Sequence, residues 1–104
     1  MKFRPEDFPR LREFARGYLH QDMLREYGSA EQAARAYWAD LKEEEREEVQ
    51  AEAVRFGALT RASPWEEIDE ALMNLGAAWR PRSKDEWIVV NEVLLGTASN
   101  LDGR

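Results

Sequence analysis

The sequence contains no cysteine and a single histidine, His20, among its 104 residues. Without thiols there is no disulfide framework and no thiolate metal site. The lone histidine has Gly17 three residues before it, so the Glu-x-x-His pairs of di-iron helical bundles are missing too. Serine occurs only at positions 29, 63, 83 and 99, and none sits in a Gly-x-Ser-x-Gly turn. The six glycines are scattered and build no phosphate-cradling loop. The runs Glu43-Glu44-Glu45 and Glu66-Glu67 lack the alternating oxygen ligands and central glycine of a calcium loop. These absences lead to the expectation of a protein that is not an enzyme and that uses no metal or cofactor. Long apolar runs are absent as well. The longest, residues 87–90, is far too short to span a bilayer, and no signal-peptide pattern opens the chain, so the cytoplasm is the expected compartment.

What is present is helical periodicity, in a length that suits one domain. Leu11, Phe14, Ala15, Tyr18 and Leu19 recur at three and four residues, which predicts a helix over 9–19 with Pro9 in its first turn. Ser29-x-x-Gln32, Ser63-x-x-Glu66 and Ser83-x-x-Glu86 read as three capping boxes, with Pro64 at a first helical position. Gly76 and Gly96 stand where left-handed helix stops belong. The further helices are expected over 30–40, 42–59, 64–75 and 84–95. The last could pass for a short buried strand, because Ile88, Val89, Val90 and Val93 are β-branched, but its capping box and length favour helix. Asp22 is expected to cap a short turn ending at Gly28. The fold class is therefore all-α: a compact bundle of about five helices over 1–96, with a small, polar, flexible tail at 97–104.

Charge is uneven. The formal net charge is −6. Residues 42–52 carry six glutamates against Lys42 and Arg46, and residues 64–75 carry Glu66, Glu67, Asp69 and Glu70 with no basic residue. The first 27 residues are nearly balanced. A solvated helix surface with acids near helix starts is the simpler account of the middle helices. The sharper one is a patch that steers a basic partner. A net acidic chain is in any case a poor non-specific ligand for nucleic acid or an anionic membrane.

Between these features lies a block of distinctive order: Phe8-Pro9-Arg10-Leu11-Arg12-Glu13-Phe14, then Tyr18-Leu19-His20-Gln21-Asp22, then Glu26-Tyr27-Gly28-Ser29-Ala30-Glu31. It resembles the opening of the small immunity proteins of bacterial contact-dependent growth inhibition systems (CdiI-type). Leu75-Gly76, Trp79 and Trp87 extend the resemblance more weakly. Met23 stands where that family usually carries Trp.

The resemblance implies a helical, non-enzymatic, cytoplasmic inhibitor. Such a protein would bind the toxic C-terminal domain delivered by a neighbouring cell, often a nuclease with a basic cleft, and would be a monomer apart from that complex. Tyr18, His20, Gln21 and Asp22 match the family motif, as scaffold or as contact residues. The toxin-reading surface should differ between cognate pairs, so the interface candidates are the acids of the middle helices: Glu43, Glu44, Glu47, Glu48, Glu66, Glu67 and Glu70. The competing reading is an acidic helical adaptor or dimerising regulatory module, with Trp79 as an exposed anchor.

Overall fold

A computed structural model describes residues 3–96. A 3-10 turn at Pro5–Asp7 leads into six helices: α1 (Pro9–Gly17), α2 (Met23–Tyr27), α3 (Ala30–Asp40), α4 (Glu43–Thr60), α5 (Trp65–Leu75) and α6 (Lys84–Leu94). Five are of substantial length, and no strand occurs among the described residues, so the fold is all-α. The tail expected at 97–104 lies outside the described residues.

α1 stops two residues before the apolar periodicity does. Tyr18 and Leu19 both donate backbone N–H to Phe14 O, at 2.8 and 3.3 Å, and the helix unwinds there. Leu19 stays fully buried, and its carbonyl accepts from the backbone N–H of Ala78 and Trp79 at 2.8 and 3.1 Å. That carbonyl is bound to the connection preceding α6, not to its own helix. At the end of α5, Gly76 adopts φ +105, which lets Ala77 N–H reach back to Leu72 O at 3.1 Å.

Two of the three expected serine caps form. Gln32 N–H donates to Ser29 Oγ at 3.1 Å and Glu86 N–H to Ser83 Oγ at 3.4 Å. The Glu86 carboxylate reaches one residue further back than expected, to Arg82 N–H at 2.6 Å. The box at Ser63 does not form. α5 starts at Trp65 with Pro64 as its extended N-cap, not as a first helical residue. Ser63 instead closes the exit of α4: its N–H donates to Thr60 O at 3.0 Å and its hydroxyl to Leu59 O at 3.5 Å. Asp22 does occupy the N-cap of α2, but its side chain makes no capping bond and pairs with Arg25 at 2.7 Å.

The core is one cluster to which every long helix contributes. α1 packs on α4 and α5, and α6 packs on α3 and α4. Phe56 sits near its centre, edge-on to Trp87 at 5.5 Å and to Phe8 at 5.8 Å. Such burial of a phenylalanine stabilises by about 2–3 kcal/mol. α6 buries Trp87, Val90, Val93 and Leu94, which follows a helical and not an alternating spacing.

Candidate functional site

The acidic run on α4 divides into three parts. Glu43, Glu44 and Glu47 are exposed, and their side chains make no hydrogen bond or ion pair among the described residues. Glu48, also exposed, takes Arg10 at 2.8 Å, and Glu45 accepts Lys42 N–H at 2.7 Å with its other oxygen 3.8 Å from Arg10. Hydrogen bonds to Glu48 and Glu13 hold the Arg10 guanidinium even more firmly protonated than usual. Glu52 is buried. Its carboxylate accepts Arg10 N–H at 2.9 and 3.1 Å and Leu11 N–H at 2.9 Å. It thereby caps α1, whose own N-cap is Phe8 and has no oxygen to offer. Burial pushes the Glu52 carboxyl up from its ordinary range, against the downward pull of those amides.

On α5, Glu66 and Glu70 are exposed and Glu67 is half-buried with a partner of its own. Asp69 is taken by Arg80 in a two-pronged contact, which holds its carboxyl below the usual range. The candidate acids therefore stand on two helices that both lie against α1. Glu48 is already spent on Arg10, and Glu67 is partly withdrawn.

Three of the four motif residues, Tyr18, His20 and Asp22, are bound to the chain around them. Tyr18 donates its hydroxyl to Asp40 at the end of α3 at 2.7 Å; burial, then that bond, push the phenol up to about 12. Its ring stacks on Tyr27 at 5.7 Å and meets Tyr37 at 5.1 Å. His20 Nδ1 lies 3.1 Å from Asp22 N–H and accepts from it, which assigns the ring proton to Nε2, facing Glu26 at 3.1 Å. Gln21 is exposed. The Tyr18 contacts hold the end of α1 to the far end of α3, and those of His20 stay within the α1–α2 segment.

Sequence reasoning missed Glu52 and Asp40. Glu52 carried a signal: with Val49, Ala53 and Phe56 inward, position 52 falls on the same helical stripe. Asp40 carried none, because its link to Tyr18 is purely tertiary.

A second surface lies on α6. Ile88 and Val89 are 42% and 38% exposed, and Leu24 on α2 is 61% exposed. A groove of about 430 Å3 is lined by Leu24, Trp79 and Val89 together with Arg80, Arg82 and Glu86. A second, of about 310 Å3, runs beside Ile88 along the C-terminal half of α4. Among the described residues no group of three or more His, Asp or Glu side chains is placed to hold a metal ion, and no helix is long and apolar enough to cross a membrane. A family model described as CdiI immunity protein matches residues 7–88. No curated protein and no solved structure matches the chain.

Proposed function

The chain belongs to the CdiI immunity protein family, and from that membership we propose that it neutralises one cognate toxin domain, a nuclease, by binding it in the cytoplasm of the cell that makes both. The protein acts by occupancy, as a monomer that pairs one-to-one with the toxin. A nuclease must keep a basic cleft to hold phosphates. An inhibitor of net charge −6 is drawn toward such a cleft.

The observation that carries this reading is the free trio Glu43, Glu44 and Glu47. Arg10 on α1 is taken by Glu48, Glu45 and Glu13, and the trio faces solvent. Glu66 and Glu70 extend the acidic surface on α5. We assign the trio, with these two, to steering the encounter. Glu48 and Glu67 contribute less, because each already has a partner.

The test is to mix the purified chain with the toxin domain encoded beside it, and to co-express the two in a sensitive cell. A one-to-one complex and survival are expected. No complex and no protection would remove the proposal. Replacing Glu47 by Lys should slow association roughly tenfold at low salt and change dissociation little.

A further inference from the structure

Three carboxylates from two helices converge on the Arg10 guanidinium. Its Nε and one terminal nitrogen both lie 2.8 Å from Glu48 Oε1, Glu13 on α1 is at 3.1 Å, and Glu45 on α4 is at 3.8 Å. Among the described residues no other lysine or arginine pairs with any of the three. The hollow of about 250 Å3 beside them is lined by Glu13, Asp40 and Glu45, with Arg10 as its one base among the described residues. Glu44, one of the free trio, stands one helical turn before Glu48. A single positive charge is thus set into a surface of acids.

The fold does not depend on that charge. The Arg10 N–H is held by the buried Glu52 carboxylate at 2.9 Å, and its carbonyl accepts from the Tyr37 hydroxyl at 3.0 Å. The start of α1 is therefore fixed from α4 and α3 through the backbone of Arg10. The ion pairs of its side chain are open to water, since the Glu48 and Glu13 side chains are 60% and 54% exposed. Pairs so exposed contribute little to stability. What the guanidinium does change is the field, because it cancels part of the pull that the surrounding carboxylates exert on a basic surface.

Resting on the toxin-binding function above, we infer that Arg10 is a selectivity residue: a built-in counter-ion that weakens the attraction of the α4 face for lysine- and arginine-rich surfaces, so that charge alone does not hold a partner the rest of the molecule does not fit. Electrostatic attraction draws any basic macromolecule, and a tempered field trades speed of encounter for discrimination.

The test uses the full chain at about 0.1 M salt, where a charge is felt over about 10 Å. The probe for attraction by charge alone is polylysine. Arg10→Met should bind polylysine at least about threefold more tightly than the parent, and should associate faster with the toxin domain encoded beside the chain. Arg25→Met is the control. It also breaks an ion pair, with Asp22, and changes the total charge equally, but it lies on α2, which packs on α3. Its affinity for polylysine should stay within about 1.5-fold of the parental value. Arg10→Lys keeps the charge and should restore parental binding.

A residue that merely links α1 to α4 would lower the melting temperature on replacement and leave polylysine binding unchanged. That result overturns the inference. So does an equal gain in Arg25→Met, which would make total charge the cause, or an Arg10→Lys variant that behaves like Arg10→Met. Should Arg10→Met fail to fold, Arg10→Gln removes the same charge while its amide still donates to Glu48, and the same gain is expected. If the parent forms no complex with the toxin domain while the polylysine results hold, it is the toxin-binding function that fails and not the role of Arg10 in the field.

Discussion

At the scale of single residues, Glu52 links the acidic composition to the fold. It is a carboxylate spent inside the molecule, where it replaces the N-cap that Phe8 cannot supply. Glu52→Ala removes the cap and leaves the Arg10 and Leu11 amides without an acceptor, at a cost of about 2–3 kcal/mol in urea unfolding. Glu52→Gln keeps an oxygen for those amides and should cost about 1 kcal/mol. The pair also has a pH signature. Because burial raises the folded-state pKa of Glu52 above the unfolded value of 4.5, the folded protein holds that proton more tightly than the unfolded chain. Its contribution is full below the unfolded pKa and declines as pH rises through the folded one. The stability advantage of the parent over Glu52→Gln should therefore shrink as pH rises above the unfolded value of 4.5. An advantage that grows with pH would mean that the amide hydrogen bonds outweigh burial.

At the scale of elements, the helices were legible wherever their ends are set locally. α3 runs over residues 30–40 as expected, because Ser29 caps it and Ala30, Ala33, Ala34 and Tyr37 mark its buried stripe. The end of α1 was not legible, because a carbonyl bound by Ala78 and Trp79 fixes it, and those residues lie far along the chain. The start of α5 was misread for a related reason: Ser63 is claimed by the exit of α4. This yields a contrast between two serines with the same motif. Ser29→Ala should lower stability by about 1 kcal/mol, and Ser63→Ala should cost less than about half of that. Equal losses in thermal or urea unfolding would show that Ser63 caps α5 after all. The candidate surfaces were legible in residue type and not in state. Sequence counts six glutamates over residues 42–52, but only the packing of α1 on α4 decides that Glu48 is neutralised and Glu52 interior. The β-branched run of α6 raised a doubt about helix. Packing buries Val90 and Val93 and leaves Ile88 and Val89 facing out.

At the scale of the whole molecule, net charge and charge placement are separable because salt sets the distance over which each is felt. The principal extents are 36 × 29 × 22 Å. At about 0.01 M salt the screening length is about 30 Å, comparable to the molecule, so an approaching toxin senses the total of −6. At about 0.15 M it is about 8 Å, and only charges near the line of approach are felt. Glu47→Gln and Gln32→Lys each raise the net charge by one, but the first removes an acid from the free trio on α4 and the second adds a base at an exposed position in the first turn of α3. Stopped-flow association with the toxin domain should find both variants slowed to similar extents at about 0.01 M, because the total is then what counts. At about 0.15 M the glutamate variant should remain slow while the glutamine variant returns to the parental rate. Equal rates for the two at the higher salt would mean that the toxin approaches by a path on which α4 has no special place. The acids of that helix would then be a solvated surface and nothing more.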